Sequence, residues 1–257
     1  MVVAGGLGPG RPDPGAQDAS RARTPLRGQR RIVFLGCTSG AGQTTVAALT
    51  ARTLAGLRAE PIALVDLNPG RGSLSEQLGE AARSSPFTDP PGGIDVIAPG
   101  PAPEPADALT GDKHLLAILD PAAPGVARAL PLADQLVLVA PASADAPRAL
   151  AMTHEWLDGH GYGSLSSRAV TVINGVSKRS LGITEQAEAV ARGRSHAIVR
   201  VPWDAGLTGD RAAGTDPGAL RPQTRHAYVA LAGVIVNALA VTKALRNSER
   251  EEGRALR

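Results

Sequence analysis

The sequence predicts an α/β protein with a doubly wound, mostly parallel sheet of seven or eight strands and helices on both faces. Apolar residues make up 43% of the 257-residue chain, which is enough for the core of one large domain. Seven short runs are apolar throughout rather than alternating, as in strands that helices bury on both faces. Segments with helical periodicity separate these runs, which is the strand–helix order of doubly wound sheets.

The individual elements follow from these patterns. Strands are predicted at RIVFLG, PIALVD, GIDVIA, HLLAILD, DQLVLVA, RAVTVIN and HAIVRVP. Helices are predicted over Thr44–Leu57, Ser73–Leu78, Ala144–Leu157, Ser180–Arg192 and Gln223–Leu245.

One folded domain is expected over residues 30–246, with a segment of different composition at each end. Residues 1–29 are rich in Gly, Pro and Arg and lack periodicity, which predicts a disordered tail. A Pro-rich, mostly irregular excursion around one short strand is expected over residues 84–105. The end, residues 247–257, is a charged tail with almost no apolar face, so a membrane anchor is not expected. The apolar run Ala227–Val241 is shorter than the roughly 20 residues of a membrane span.

Charge and cysteine content bear on the binding partners of the protein and on its cellular compartment. The chain has 27 basic and 24 acidic residues, and this small excess does not by itself argue for binding to nucleic acid or membranes. Arginines cluster near both ends, where solvated tails are one interpretation and weak binding to DNA or anionic lipid is the other. The single cysteine, Cys37, precludes an intramolecular disulfide and fits a reducing compartment. With no signal-peptide pattern at the start, we expect a cytoplasmic protein.

The first predicted strand leads into a glycine-rich turn and a helix, in the stretch IVFLGCTSGAGQTT. A phosphate-binding loop reads G-x-x-x-x-G-K-[ST]: backbone amides surround the phosphates, the lysine neutralises them and the hydroxyl binds magnesium. Gly42 falls at the second glycine, Gln43 at the lysine and Thr44 at the hydroxyl, while Cys37 takes the place of the first glycine. The stretch therefore has the outline of a phosphate loop without its positive charge. A tight strand-to-helix turn that binds no ligand is the alternative.

The segment TSGAGQTT, Thr38–Thr45, resembles the deviant Walker A loop K-G-G-x-G-K-T-T of the ParA/MinD-like ATPases, P-loop proteins of the SIMIBI class. Thr38 replaces the signature lysine and Gln43 replaces the loop lysine, so the chain resembles a degenerate member that lacks both. A charge-assisted hydrogen bond contributes about 1.5–3 kcal/mol, and loss of two would weaken triphosphate binding by about two to four decades.

The resemblance continues along the chain in the order and spacing of further motifs. ALVDLNPGRGSLSEQLG is similar to the second strand and switch I, with Asp66 kept and Asn68 in place of the aspartate associated with hydrolysis. LLAILDPAAPG is similar to the Walker B segment and places Asp120 on the magnesium side. VTVINGVSK places Asn174 where the family's asparagine reads adenine, and VRVPWDAGL is similar to a late loop that contains Pro202.

From this resemblance we expect a set of ligand contacts. It implies that the nucleotide contacts Ser39, Gly40, Ala41, Gly42, Gln43, Thr44, Thr45, Asn174 and Pro202, and that magnesium contacts Thr44, Asp66 and Asp120. Asp66 and Asp120 are also the candidates for catalysis, and a cap of the following loop is the alternative role for each. ATP and Mg²⁺ are the implied cofactors, and the substitutions predict that their binding is weak or lost.

Three functions fit these observations, of which the third is a nucleic-acid-binding module whose basic tail and one surface patch hold nonspecific DNA. The first is a pseudo-ATPase that serves as a scaffold or regulator for a protein partner in partition, division-site placement, or pilus or secretion assembly. The second is a working ATPase of the same family in which another basic residue, such as Arg71 or Arg179, supplies the missing charge. The resemblance also implies a homodimer and nonspecific DNA binding; with Thr38 and Gln43 in place, a dimer would have to form without nucleotide.

Overall fold

Seven parallel strands form the centre of the protein. The computed structural model describes residues 14–68, 73–78, 93–97, 114–209 and 212–255. The strands are β1 (Arg30–Gly36), β2 (Ile62–Leu67), β3 (Ile94–Ile97), β4 (Leu116–Pro121), β5 (Gln135–Pro141), β6 (Val170–Val176) and β7 (Ala197–Pro202). They form one sheet in the order β3-β2-β4-β1-β5-β6-β7. All pairings are parallel, which confirms the predicted fold class and the seven predicted strands.

Eight α-helices accompany the sheet in the described part of the chain. They are α1 (Pro14–Ala22), α2 (Gln43–Leu57), α3 (Leu74–Leu78), α4 (Ala123–Ala129), α5 (Ala146–Gly159), α6 (Gly163–Ser167), α7 (Leu181–Ala191) and α8 (Pro222–Ala255). Five of them match predicted helices within a few residues at their starts, whereas α1, α4 and α6 were not predicted. The short helices α4 and α6 contain Gly125 and Gly163, and such small segments carry too few turns to show a helical period.

The strand order reverses at β1, which lies between β4 and β5. In open parallel sheets, ligands bind beside the carboxyl ends of the strands at such a reversal. The register places Asp66 of β2 directly opposite Asp120 of β4 at this edge. The fold therefore brings two of the predicted site residues together at the expected place.

Apolar side chains cover both faces of the sheet. Successive residues of a strand point to opposite faces. Ile32 and Phe34 of β1 belong to a buried cluster that includes residues of α2 and α8. Val33 belongs to a second cluster on the other face, with Leu130 after α4 and Leu165 of α6. The core is built almost entirely from aliphatic side chains, as the aromatic content of 2% requires.

The helix α1 corrects the prediction that residues 1–29 are a disordered tail. Residues 14–22 are helical and pack on α8 and α2, with Ala22 buried. The buried Arg58 guanidinium donates hydrogen bonds to the Ala22 and Thr24 carbonyls, at 2.7 and 2.9 Å. These carbonyls belong to the end of α1, where a helix has no internal donors left. Contacts from distant parts of the chain thus stabilise a helix that its own composition does not predict.

Other domain boundaries stay predictions. The predicted excursion over residues 84–105 is described only at 93–97, which include β3, and its remainder lies outside the described residues. At the end of the chain, α8 continues to Ala255, beyond the helix end predicted at Leu245 and into the segment predicted as a charged tail.

One helix in the described part of the chain, over Pro222–Val241, is long and apolar enough to cross a membrane by length and composition alone. This differs from the expectation that its apolar run is too short. Half of this segment is buried inside the fold, including Leu231 and Ile235, as in the core helix of a soluble protein. These positions repeat at helical spacing and face the sheet.

The contact between α1 and α8 predicts the effect of one substitution. A Cβ atom added at Gly233 would lie 2.6 Å from the backbone carbonyl oxygen of Asp18. Gly233→Ala should therefore lower the free energy of unfolding by about 1–3 kcal/mol in urea denaturation. The control is Gly182→Ala on α7, where an added Cβ would meet nothing within 4 Å; it should be neutral or stabilise by up to about 1 kcal/mol. Equal stability of both variants would contradict the packing of α1 on α8.

Candidate functional site

The loop between β1 and α2 has the shape that the sequence predicts for a phosphate loop. Gly40 and Gly42 have left-handed backbone angles, with φ of 73° and 84°. A Cβ atom at Gly42 would also lie 2.3 Å from Nδ2 of Asn174. Glycine is therefore required at this position by both its backbone conformation and the close approach of Asn174. Ser39 and Gly40 are exposed at the tip of the loop, whereas Ala41 is buried beneath it.

The side chain of Gln43 folds back under the loop and joins β1 to β4. Its Oε1 accepts a hydrogen bond of 2.5 Å from the backbone N–H of Gly36. Its Nε2 donates to Oδ1 of Asp120 at 2.6 Å and to the carbonyl of Pro121 at 2.9 Å. A glutamine amide has two N–H donors, and both are used here. Gln43 thus connects the loop to the strand end where the magnesium-side aspartate lies.

Asp120 is a buried carboxylate with unequal surroundings. Burial raises the pKa of Asp120 from 3.8 to about 6; hydrogen bonding by Thr44 and Gln43 opposes this shift, and the charge of Asp66 adds to it. The second carboxylate oxygen, Oδ2, has no hydrogen-bond partner of normal geometry among the described residues. The Thr44 hydroxyl is still close enough to the Asp120 carboxyl to favour its ionised form. A buried aspartate with a neutral amide as its donor is only partly compensated.

Asp66 serves the backbone of the segment that follows it. It is fully buried, and its Oδ1 accepts from the N–H of Asn68 at 2.9 Å while its Oδ2 accepts from the N–H of Ser75 at 2.8 Å. The Ser75 amide lies in the first turn of α3. These contacts are those of a loop and helix cap, which was the alternative interpretation of Asp66 in the sequence.

Asn174 lies at the loop, and Pro202 lies at a distance from it. The Asn174 amide donates a hydrogen bond of 3.0 Å to the carbonyl of Ala41, so it holds the loop in place from the end of β6. Pro202 ends the edge strand β7, which β5 and β6 separate from β1. The structure thus brings Asn174 into contact with the loop, whereas two strands, β5 and β6, lie between Pro202 and the strand that leads into the loop.

The charge and the hydrogen bonds of these residues bear on the binding of a triphosphate with magnesium. The loop residues 38–45 contribute no positive charge, and a triphosphate loop relies on its lysine for that purpose. Both oxygens of Asp66 and one oxygen of Asp120 already accept hydrogen bonds from protein groups. The predicted metal contacts of Thr44, Asp66 and Asp120 stay predictions.

A cavity of about 630 Å³ opens beside the start of the loop, between α4 and α5. Its walls are mostly apolar and include Cys37, Met152 and Trp156, of which Met152 and Trp156 are 56% and 40% exposed. Burial raises the pKa of the Cys37 thiol to about 11, with a weaker opposing contribution from Thr153, so the thiol stays protonated at neutral pH. The nucleophilic form of cysteine is the thiolate, so Cys37 contributes a protonated, unreactive side chain to the cavity wall.

The same cavity contains a basic residue that the sequence did not single out. Arg148, in the first turn of α5, lines it together with Thr38. Its side chain is exposed and makes no ion pair with any residue that the structure describes. Arg179 lies in the short 3-10 helix Lys178–Ser180 after β6 and does not line this cavity, and Arg71 lies outside the described residues. Only the folded chain shows that Arg148 is near Thr38, because about 110 residues separate them.

The sheet order, the β1–α2 loop and the adjacent positions of Asp66 and Asp120 give the chain a fold like that of the ParA/MinD P-loop proteins. Among solved structures, the chain is similar to a ParA family ATPase from Chlorobium tepidum, with 18% identity and a TM-score of 0.60 over 79% of this chain and 98% of that one. It is also similar to the cell division ATPase MinD of Pyrococcus furiosus, with 18% identity and a TM-score of 0.58 over 80% and 98%. McdA of Cyanothece in complex with ATP gives 15% identity and a TM-score of 0.56 over 80% and 97%. At these identities the likeness shows the fold.

A sequence relative of the chain is a secretion-associated protein. The chain is 28% identical over 239 residues to the ESX-1 secretion-associated protein EspI of Mycobacterium tuberculosis. The match covers 77% of this chain and 34% of EspI, so the chain spans about a third of the length of that relative. No protein-family model matches the chain.

The contacts of Gln43 predict a loss of stability when its amide is removed. Gln43→Met keeps a side chain of similar length but leaves the Gly36 N–H and Asp120 Oδ1 without this partner. We expect the free energy of unfolding to fall by about 1–3 kcal/mol at pH 7. Gln43→Lys, which places an ammonium group beside Asp120, should retain most of the stability. Wild-type stability of Gln43→Met in urea denaturation would show that the amide does not join the two strands.

The raised pKa of Asp120 predicts a specific pH dependence. Between pH 4 and 6 the folded protein holds a proton on Asp120 that the unfolded chain has released, so this group's contribution to stability is lost as the pH rises through about 6. Asp120→Asn keeps an acceptor for Gln43 and removes the titration. Urea denaturation from pH 4 to 7 should show the wild type losing about 2–3 kcal/mol relative to this variant. A difference that is constant with pH would contradict the assignment.

Proposed function

We propose that this protein is a pseudo-ATPase, a ParA/MinD-type fold that acts as a scaffold or regulator and does not hydrolyse ATP. The observation that supports this function is the Gln43 side chain, whose amide bonds Gly36, Asp120 and Pro121. A lysine in its place would bring a positive charge to the phosphates and to the aspartate. The neutral amide instead uses its hydrogen bonds within the protein.

The chemistry of hydrolysis is also weakened at two further positions. Thr38 is short and uncharged where the related loops carry their signature lysine. Asn68 cannot accept a proton or orient a water as a carboxylate can. Phosphoryl transfer depends on positioning and on neutralising the developing charge. The residues described here supply the positioning framework and little of the charge.

The proposed setting is a secretion system. The support is the similarity to EspI, which is described as associated with ESX-1 secretion. Since the match covers a third of that protein, the corresponding role of this chain is that of one domain that contacts a secretion component. A homodimer held together by nucleotide between its subunits is not expected, because the two lysine positions hold Thr38 and Gln43.

Calorimetry with ATP and Mg²⁺ tests this function. The native protein should give no binding heat at ATP concentrations at which the double variant Thr38→Lys/Gln43→Lys binds. The two added lysines should raise the affinity for ATP by about two to four decades. The single variants should lie between the two. Binding by the native protein at micromolar ATP would contradict the proposal, as would ATP turnover that Asp120→Ala abolishes.

One observation favours a second candidate, an ATPase with substituted residues. Arg148 lines the same cavity as Gly36 and Thr38 and has no ion-pair partner among the described residues. An arginine at this place could neutralise phosphate oxygens in the role that the signature lysine has elsewhere. In that case Arg148→Gln would remove nucleotide binding, whereas Arg179→Gln, an exposed arginine outside the cavity, would leave it intact.

A further inference from the structure

A second cavity lies beside the C-terminal half of α2, away from the loop. It has a volume of about 480 Å³ and is enclosed by the end of α2, the start of β3, the segment 216–220 and the first turns of α8. Since α2 begins at Gln43 and Arg52 lies nine residues further on, the rise of an α-helix separates this cavity from the loop by about 14 Å or more. Its size is that of sites for small organic ligands. It is therefore distinct from the nucleotide site that the fold suggests.

The walls of this cavity are mostly apolar, and positive charges outnumber negative charges among the few charged groups. Leu57, Ile94 and Leu220 supply apolar surface. Arg52 and Arg225 supply two positive charges, and Asp216 supplies one negative charge. The lining therefore carries a net charge of about +1 at neutral pH. A ligand with an apolar body and one anionic group would match both features.

Arg225 is held at the rim in an orientation that leaves donors for a ligand. Its Nη1 donates to the backbone carbonyls of Leu220 and Gly218, at 2.7 and 3.2 Å. Among the described residues, its Nη2 and Nε have no further hydrogen-bond partner. A guanidinium fixed on one side by two carbonyls presents its remaining N–H groups in a plane, as in carboxylate and phosphate recognition.

Tyr228 contributes a second unused donor. Its side chain is 1% exposed and lines the cavity, and its hydroxyl has no hydrogen-bond partner among the described residues. Burial raises the pKa of Tyr228, and the charge of Asp204 raises it further, so the hydroxyl stays a donor. A buried donor without an acceptor destabilises a protein, and a ligand that supplies an acceptor removes that penalty.

The charge of Arg52 also favours an anionic ligand in this cavity. Burial lowers the pKa of its guanidinium, and the neighbouring Asp216 carboxylate opposes that shift. The Asp216 carboxylate also accepts a hydrogen bond of 2.8 Å from the backbone N–H of Gly218, so it is shared between two partners. An additional anion in the cavity would offset the cost of burying the Arg52 guanidinium, which stays charged at neutral pH.

We propose that this cavity binds a small amphiphile with a single anionic head group, a carboxylate or a phosphate monoester, which accepts hydrogen bonds from Arg225 and Tyr228. The apolar body lies against Leu57, Ile94 and Leu220. This site does not depend on nucleotide binding at the loop, and its ligand is recognised by one charge and a short apolar segment.

Calorimetric titration with sodium decanoate and with decyl phosphate tests the proposal, and decyltrimethylammonium serves as the cationic control. Wild-type protein should bind one or both anions and bind the cation at least about tenfold more weakly. Arg225→Gln and Tyr228→Phe should each weaken binding of the anion by about 10- to 100-fold, because each removes a hydrogen bond to a charged group. Arg221→Gln, an exposed arginine on the same segment whose side chain lies over the Trp203 ring, should bind as the wild type does.

A third variant tests the cavity without altering its polar groups. An added Cβ at Gly56, on the cavity wall, would meet nothing within 4 Å, so Gly56→Leu should fold and block the site. Thermal unfolding checks each variant, and Tyr228→Phe should be as stable as the wild type because its hydroxyl has no partner to lose. Absence of anion binding, equal binding of the cation, or anion binding that survives both Arg225→Gln and Gly56→Leu would overturn the proposal.

Discussion

The hydrogen bonds of the Gln43 amide are the interaction on which the rest of the site depends. One side chain connects the end of β1, the first turn of α2 and the end of β4, at the point where the strand order reverses. Its donors are directed at Asp120, a carboxylate that burial would otherwise leave poorly compensated. Asn174 fixes the other half of the loop through the Ala41 carbonyl. The loop is therefore held from both sides by neutral amides.

This arrangement separates the shape of a phosphate loop from its charge. The glycines keep their left-handed angles, and Asp66 and Asp120 keep their positions on adjacent strands. Asp66 caps the following turn and helix, and Asp120 accepts a hydrogen bond from the neutral Gln43 amide. A fold can persist after its chemistry has changed because packing of the sheet and helices, and not the ligand, supplies most of its stability. The proposed role as a scaffold rests on that distinction.

The sequence predicted what depends on local pattern and missed what depends on distant contacts. The strands were found because each is buried on both faces and is therefore apolar throughout. The loop was placed correctly because glycines and a following helix mark it. By contrast, α1 has a composition typical of a tail and is stabilised by Arg58 and by the space left at Gly233. The partner of Gln43 lies 77 residues away and that of Asn174 lies 133 residues away, so neither contact has a local signature.

The most direct test of this account is an NMR measurement of the Gln43 side-chain amide. Its two ¹⁵N-bound protons are assigned from the signals that disappear in Gln43→Lys and are followed during titration with ATP and Mg²⁺. We expect both protons to be hydrogen-bonded, protected from exchange with water, and unchanged at millimolar ATP and Mg²⁺. Signals that shift and saturate with nucleotide, or that exchange as fast as an exposed glutamine amide, would show that Gln43 is not bound to Asp120 and that the loop is open to phosphate.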